Sequence, residues 1–320
     1  MQKTQLKTAP LGTTGLEITR IGFGAWAIGG GGWEAAWGPQ DDDESVAAIL
    51  HALEQGVNWI DTAAAYGFGH SESIVGHALD GVAERPYVFT KGSLLEGPGR
   101  RIVHDLDRDS LIREAEASLE RLGIDAIDLY QIHWPDPEAD IEEGWSALAE
   151  LKDRGLVRHI GVSNFDVEQL RRIQQIAPVE TLQPPYSLVA REVEDEILPF
   201  AEREGIGVIV YSPMGSGLLT GRMTGERIKN MPDDDWRKHD ERFQEPELSR
   251  HLEQVERLQA VAERYDTTPG AIAVAWALRN PAVDGAIVGF RRPDQVDPIL
   301  TAAGIELTVE DVEQIERGDR

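Results

Sequence analysis

The sequence contains no cysteine among its 320 residues, which excludes a disulfide framework, a thiolate nucleophile and a cysteine-bound metal. Its eight histidines are scattered, and no two of them have the spacing of a zinc-binding helix. Metal-dependent catalysis therefore has no support in the sequence, and we expect a protein without a metal site.

Long apolar runs are also missing. The longest conspicuous one, at residues 271–278, is far shorter than the roughly 20 residues that span a bilayer. The first ten residues, MQKTQLKTAP, include no apolar stretch of the kind found in secretory signals. We predict a cytoplasmic protein that has no membrane partner.

Basic residues are scarce, since 31 lysines and arginines stand against 57 aspartates and glutamates. The net charge of -26 argues against nucleic acid and anionic membranes as partners, because both repel an acidic surface. A hydrophobic content of 41% excludes a disordered chain. The length fits one large α/β barrel or two ordinary domains, and because no domain boundary is visible we predict a single domain over residues 1–320.

Three short apolar runs each end on an ionisable side chain. They occupy residues 57–61, 87–91 and 126–133 and end on Asp61, Lys91 and His133. Their length and their β-branched or aromatic content predict buried strands. In a barrel of parallel strands the C-terminal ends meet on one face, so an acid, a lysine and a histidine would lie together at the C-terminal end of the barrel.

Tyr66 follows the first of these strand ends by five residues. A carboxylate at the tip of a buried strand is costly unless it is paired, so we expect Asp61 to pair with Lys91. A tyrosine beside that lysine can have its pKa lowered from about 10 and serve as a proton donor. Taken singly, each of these residues is more often a helix cap, a solvated charge or a structural side chain. The joint pattern favours a catalytic site.

Strands and helices alternate along the chain. Helices are predicted at residues 41–56, 71–79, 111–123, 141–154, 166–176, 192–203 and 268–280, with a last one from residue 293, and further strands at residues 157–162, 179–183, 207–211 and 286–288. Residues 11–24 predict a hairpin that leads into the first buried strand. Residues 218–246 are polar and irregular, which indicates a long excursion above the barrel. The pattern predicts an α/β fold, a (β/α)8 TIM barrel with an N-terminal β-hairpin and long loops at the C-terminal face.

Five motifs occur in the order and at the spacing of one enzyme family. They are DTAAAYGFGHSE from Asp61, TKG at Thr90, QIHWPD from Gln131, GVSNF from Gly161 and YSPMGSGLL from Tyr211. Through these motifs, and over nearly the whole chain, the sequence resembles the aldo-keto reductase superfamily. The GAWAIGGGGW loop and the GFRRPDQVD tail are similar to the bacterial members that include general stress reductases.

The resemblance implies reduction of aldehydes or ketones by NADPH, with NADH as an alternative hydride donor, and without metal or flavin. It implies that Tyr66 is the general acid to the carbonyl oxygen and that Lys91 lowers the pKa of this tyrosine. Asp61 would hold the lysine, and His133 would orient the carbonyl of the substrate. Donors placed in advance in this way stabilise the alkoxide charge that develops as hydride is added.

The same resemblance implies a set of cofactor contacts. They are Ser163, Asn164 and Gln183 at the carboxamide, Tyr211 stacked on the nicotinamide, the backbone of Ser212, Pro213, Met214, Gly215, Ser216, Gly217 and Leu218 around the pyrophosphate, and Gly289, Arg291, Arg292 and Gln295 at the adenosine end. Arg291 stands where a ligand of the 2′-phosphate is expected, with Arg292 as a helper. Pro298 and Ile299 depart from the family pattern, since many relatives have an acid and an asparagine there that contact adenine.

Four tryptophans lie in or beside these motifs, namely Trp26, Trp33, Trp37 and Trp134. They predict either the packed rim of the barrel or the wall of a pocket that would favour apolar or aromatic carbonyl substrates. In the same way, Ser163 and Asn164 would by themselves be an ordinary turn, and Tyr211 an ordinary core aromatic.

Two other functions stay open on the sequence alone. One is a cofactor-binding regulatory protein with little turnover, as in relatives attached to potassium channels, although no appended domain or long N-terminal segment precedes the hairpin. The other is a barrel isomerase or lyase without nicotinamide, which leaves the YSPMGSG loop unexplained. The sequence does not choose between a monomer and a homo-oligomer.

Overall fold

Eight short parallel strands close into a barrel in the computed structural model of the chain, which describes residues 6–317. In chain order the strands are β1 (Thr8–Pro10), β2 (Glu17–Thr19), β3 (Ile21–Gly24), β4 (Trp59–Asp61), β5 (Tyr87–Gly92), β6 (Leu94–Glu96), β7 (Ile102–His104), β8 (Ile127–Ile132), β9 (Val157–Ser163), β10 (Thr181–Gln183), β11 (Gly207–Tyr211) and β12 (Gly285–Gly289). The barrel order is β3, β4, β5, β8, β9, β10, β11 and β12, and β12 pairs with β3 to close the ring. β1 and β2 form an antiparallel hairpin, as do β6 and β7. The predicted (β/α)8 barrel with an N-terminal hairpin is confirmed.

Helices follow the barrel strands along the chain. They are α1 (Asp42–Glu54), α2 (His70–Leu79), α3 (Arg108–Leu122), α4 (Ile141–Asp153), α5 (Val167–Ile173), α6 (Ile197–Glu204), α7 (Gly225–Lys229), α8 (Glu247–Arg264), α9 (Pro269–Leu278), α10 (Val296–Leu300) and α11 (Val309–Ile315). Several begin at a side-chain cap, because Asp41, Asp166 and Thr268 each accept a hydrogen bond from a backbone N–H in the first turn of α1, α5 and α9. Within residues 6–317, no helix is both long enough and apolar enough to cross a membrane.

Large apolar side chains fill one end of the barrel. Trp59 and Phe89 pack there with ring centroids 5.3 Å apart, and Leu11 reaches them from the turn of the hairpin. Gly22 leaves the space that the Trp59 ring occupies, since a Cβ on this glycine would lie 2.2 Å from the ring. Trp59 Nε1 donates a hydrogen bond to the carbonyl of Thr19 at 2.8 Å. The hairpin thus closes the N-terminal end of the barrel and leaves the opposite end for the functional groups.

Three predicted boundaries are wrong. α6 begins at Ile197 instead of residue 192, because residues 192–194 form a separate 3-10 turn. The hairpin begins at Thr8 instead of Leu11, because residues 11–16 form its turn and the amide of Leu11 donates to the carbonyl of Leu16. α5 ends at Ile173, so Ile176 lies beyond the helix and is 43% exposed.

Three elements were not predicted. The longest is α8, an 18-residue helix that starts directly after the predicted excursion. The β6–β7 sheet lies in the loop after β5, and α11 is near the C-terminal end of the described chain. The excursion itself is confirmed as a loop with short helical turns, of which α7 is one.

The variant Leu11→Ala tests whether the hairpin closes the barrel. Leu11 is fully buried, so its truncation leaves a cavity and should lower the free energy of unfolding by about 2–5 kcal/mol in urea denaturation. Val309→Ala, at a residue that is 71% exposed, should change the same quantity by less than about 0.5 kcal/mol. A Leu11→Ala protein as stable as the wild type would show that the turn contributes nothing to closure.

Candidate active site

A cavity of about 530 Å³ opens at the C-terminal ends of the barrel strands. Its wall includes Asp61 from the end of β4 and His133 from the residue after β8. Tyr66 lines it from the loop between β4 and α2, and Lys91 lies behind Tyr66 near the end of β5. The structure therefore brings together the four residues predicted to be catalytic.

A buried ion pair lies at the centre of this group. Lys91 Nζ is 2.6 Å from Asp61 Oδ2, and the two side chains are 0% and 3% exposed. The same ammonium group donates to the carbonyl of Thr62 at 2.9 Å and to the hydroxyl oxygen of Tyr66 at 3.3 Å. The lysine thus uses its donors on a carboxylate, a carbonyl and the tyrosine.

Burial dominates the acid–base properties of these groups. It raises the pKa of Tyr66 well above its usual value, and the charge of Asp61 adds to this shift. It also raises the pKa of Asp61 and lowers that of Lys91, while each partner's charge offsets part of the change. The pKa of Tyr66 is therefore raised and not lowered as expected, because burial outweighs the ammonium group of Lys91, which favours the phenolate. The tyrosine keeps its proton at neutral pH, and the lysine hydrogen-bonds its oxygen.

His133 faces the tyrosine from the other side. The two rings meet edge-on with centroids 5.6 Å apart. Burial lowers the pKa of His133 well below its usual value, and the charges of Lys91 and His104 act in the same direction, so the imidazole is neutral at pH 7. Its Nδ1 has no hydrogen-bond partner among residues 6–317. A neutral imidazole in this position suits the orientation of a polar substrate group.

The residues predicted to bind the carboxamide form one hydrogen-bonded series next to the ion pair. Gln183 Nε2 donates to Asp61 Oδ1 at 2.8 Å, and Ser163 Oγ donates to the carbonyl of Gln183 at 2.7 Å. Asn164 Nδ2 donates to Ser163 Oγ at 3.0 Å, and the hydroxyl of Tyr211 donates to Asn164 Oδ1 at 2.8 Å. Each side chain is therefore fixed by its neighbours before any ligand arrives.

The loop after β11 has an unusual backbone. Ser212, Gly215, Ser216 and Gly217 all have positive φ, with values of 53°, 56°, 54° and 98°. Close packing accompanies this conformation, since a Cβ on Gly215 would lie 2.8 Å from a methyl group of Val189. Left-handed residues within a turn direct backbone N–H groups into a concave surface that suits an anion. The loop is therefore a candidate phosphate site, in which the N–H groups of Gly215 and Gly217 already donate to the carbonyls of Ser212 and Met214.

Positive charge gathers at the end of the cavity beyond this loop. Arg222, Arg227, Arg237 and Arg291 line the wall, and Arg292 lies beside them. Arg237 pairs with Asp235 at 2.6 Å, and Arg292 pairs with Asp294 at 2.9 Å, whereas Arg222 and Arg227 form no ion pair within the described part of the chain. In a chain of net charge -26, this cluster fits phosphate groups.

Arg222, Arg227 and Arg237 were not among the predicted site residues. All three lie in the excursion at residues 218–246. The available signal was the density of lysine and arginine there, six in 29 residues against 25 in the other 291.

Aromatic rings wall the cavity near Tyr66, and the four predicted tryptophans all line it. The ring of Trp26 lies 6.2 Å from that of Tyr66 at an angle of 21°. Trp37 meets Trp26 edge-on at 5.2 Å. Trp236, which the sequence analysis did not single out, stacks on Trp26 at 5.4 Å. The excursion thus contributes a wall of the cavity as well as the arginines.

Most of the predicted cofactor residues line the cavity. Those that do are Ser163, Asn164, Gln183, Tyr211, Ser212, Pro213, Met214, Ser216, Gly217, Gly289, Arg291 and Gln295. Gly215 and Leu218 are buried in the same loop, and Arg292 points to its partner Asp294. Pro298 and Ile299, which depart from the family pattern, also line the wall. Within residues 6–317, no group of three or more histidine, aspartate or glutamate side chains is arranged to hold a metal.

Comparison with known proteins gives one consistent family. The model of the aldo/keto reductase family matches residues 20–320. The chain is 42% identical to the aldo-keto reductase YhdN of Bacillus subtilis, over 94% of this chain and 90% of that protein. It is 37% identical to the NADH-specific methylglyoxal reductase of Escherichia coli, over 95% of both chains. The structure of a glycerol dehydrogenase from Gluconobacter oxydans matches with a TM-score of 0.86 and 38% identity, over 99% of this chain and 95% of that one.

A further buried carboxyl group lies close behind the end of β5. Both oxygens of Glu114, on α3, accept the backbone N–H of Ser93 at 3.2 Å. Burial raises the pKa of Glu114 to about 8, although the hydrogen bond from Ser93 opposes the shift. The folded protein therefore holds a proton there that the unfolded chain releases near pH 4.5.

Glu114 should make the protein less stable as pH rises. Because its pKa is higher in the folded state, its contribution is complete below about pH 4.5 and is lost as the pH rises through about 8, with a slope of up to about 1.4 kcal/mol per pH unit. Urea denaturation across this range should show a smaller loss of stability for Glu114→Gln than for the wild type. Glu120→Gln, at an exposed position on the same helix, should keep the wild-type slope. Equal slopes for all three proteins would contradict the assignment.

Proposed function

Because the chain belongs to the aldo/keto reductase family, we propose that it reduces aldehydes or ketones to alcohols, with NADPH as hydride donor and Tyr66 as general acid. The family consists of NAD(P)H-dependent oxidoreductases that act on small carbonyl compounds. The observation that carries the proposal is the contact between Lys91 Nζ and the hydroxyl oxygen of Tyr66, beside Asp61, at the mouth of the barrel.

The proposed reaction adds a hydride to the carbonyl carbon and a proton to the carbonyl oxygen. A bound reduced nicotinamide supplies the hydride. Tyr66 supplies the proton, which its raised pKa keeps available at neutral pH. Lys91 stabilises the phenolate that remains until a proton from water replaces the one transferred. His133, which is neutral at pH 7 and lines the cavity, helps to orient the carbonyl.

The proposed cofactor contacts are those that the family resemblance implies, and the chemistry of the residues agrees with them. Ser163, Asn164 and Gln183 offer polar groups for the carboxamide, and Tyr211 offers a ring face for the nicotinamide. The loop from Ser212 to Leu218 would hold the pyrophosphate. The cationic end of the cavity supports NADPH, because a 2′-phosphate adds negative charge there. The Escherichia coli relative is named as NADH-specific, so NADH is a second candidate.

The substrate end of the cavity supports apolar or aromatic carbonyl compounds. Trp26, Trp33, Trp37 and Trp134 present ring surfaces there, and Leu94 and Ile102 add aliphatic ones. Arg237, from the excursion, lies over the Trp37 ring at 4.2 Å, so the aromatic and cationic walls meet there. All residues of the proposed site lie within residues 6–317, and we propose that residues 1–320 form one catalytic domain.

Tyr66→Phe should remove the proton donor and leave the nucleotide site intact. We expect kcat for a reactive aldehyde to fall by about 10²–10⁴-fold. Fluorescence titration should give wild-type Kd values for NADPH. Tyr87 is the first residue of β5, at the end of the strand away from Lys91 and the cavity. Tyr87→Phe makes the same chemical change there and should keep wild-type turnover.

Near-normal turnover by Tyr66→Phe would refute the assignment of the acid. The same two measurements on the wild type, nucleotide binding and turnover, distinguish the alternative functions. Nucleotide binding with negligible turnover over many carbonyls would favour a regulatory protein, and an absence of nucleotide binding would favour a barrel enzyme without nicotinamide.

A further inference from the structure

The guanidinium group of Arg291 donates hydrogen bonds to three uncharged oxygen atoms. Its Nε donates to Gln40 Oε1 at 2.5 Å, one terminal nitrogen donates to the carbonyl of Pro39 at 2.5 Å, and the other donates to the carbonyl of Trp37 at 3.2 Å. All three acceptors lie on one segment, residues 37–40. The guanidinium group therefore joins the loop after β12 to the loop after β3.

Gln40 completes the connection from its own side. Its Nε2 donates to the carbonyl of Arg291 at 2.9 Å and to Ser45 Oγ, in the first turn of α1, at 3.0 Å. Each of the two residues therefore donates a hydrogen bond to the other. Arg291 donates to the side-chain oxygen of Gln40, and Gln40 donates to the backbone carbonyl of Arg291. We call the contacts of Arg291 with residues 37–40 the clasp.

The clasp holds a wall of the substrate cavity. Trp37 meets Trp26 edge-on, and the Trp26 ring lies almost parallel to that of Tyr66. On its other side, Trp37 packs beneath the guanidinium of Arg237 at 4.2 Å. A shift of residues 37–40 would therefore displace the rings that surround the proposed acid.

A phosphate at Arg291 would compete with the clasp. Hydrogen bonds from a charged donor are stronger than those between neutral groups, and a phosphate that uses the same nitrogens must replace several of them. Arg222 and Arg227, which line the same end of the cavity, have no ion pair among residues 6–317 and are exposed. These two arginines can receive a phosphate with a smaller loss, since the hydrogen bond at stake is the one from Arg227 Nη1 to the carbonyl of Arg222 at 3.3 Å.

We propose that Arg291 is a positioning residue that fixes the aromatic wall of the substrate cavity through the clasp, and that it is not the ligand of the 2′-phosphate. The proposal rests on the proposed function. It assigns Arg291 to substrate recognition, whereas the family pattern alone places it at the nucleotide.

Arg291→Lys separates the two roles. Lysine keeps the positive charge and binds phosphate as a point charge, but it lacks the planar fork that reaches three acceptors. We expect the KM for 4-nitrobenzaldehyde to rise by about tenfold, as for the loss of one good contact. Fluorescence titration should show a ratio of the Kd values for NADH and NADPH that stays within about twofold of the wild type, less than one contact is worth.

Gln40→Met breaks the clasp from a residue that does not line the cavity. It should raise the same KM, and the double variant should be little worse than either single one, because both changes remove one set of contacts. Arg172→Lys, on α5 at a half-buried ion pair that does not line the cavity, serves as the control and should match the wild type.

The opposite results overturn the proposal. If Arg291→Met weakens NADPH binding by tenfold or more, about one lost contact, while NADH binding and the aldehyde KM are unchanged, Arg291 is the phosphate ligand. If neither Arg291→Lys nor Gln40→Met changes the aldehyde KM, the clasp does not position the wall. Failure of the wild type to bind nucleotide or to reduce the aldehyde would instead contradict the proposed function.

Discussion

The buried pair of Asp61 and Lys91 is the interaction on which the site depends. Removing two charges from water costs several kcal/mol for each ion, and the cost is offset only when geometry is good and the remaining polar atoms are satisfied. Here the contact is 2.6 Å, and the second oxygen of Asp61 accepts a hydrogen bond from Gln183 across the barrel. The carbonyl of Thr62 takes another donor of the lysine. Closure of the barrel supplies these partners, so the fold and the site are stabilised together.

The rest of the site extends from this pair. Gln183 links it to Ser163, Asn164 and Tyr211, and Lys91 links it to the tyrosine proposed as the acid. Rigid strands therefore position the polar groups, while the aromatic and cationic walls come from loops. Such a division suits an enzyme that keeps its chemistry constant and varies its substrate by changing loops.

The sequence predicts the parts of this structure that follow from local pattern. Residue type and spacing determine where strands end and where helices are capped, so these positions are recognisable in the sequence. Examples are the strand ends at Asp61 and Lys91 and the helix caps at Asp166 and Thr268. The direction of the pKa shift of Tyr66 was predicted wrongly, because the extent of burial depends on the whole barrel. The site residues of the excursion were missed because no periodic pattern marks them. α8 has an apolar stripe, but its many charged residues obscured it.

A double-mutant cycle on Asp61→Asn and Lys91→Gln tests the central claim most directly, with the free energy of unfolding measured by urea denaturation at neutral pH. Either single change leaves a buried charge without its partner and should cost about 3–5 kcal/mol. The double variant should cost clearly less than the sum of the two, since neither charge remains. Additive losses would show that the two groups do not stabilise each other and that the pair is not the basis of the site.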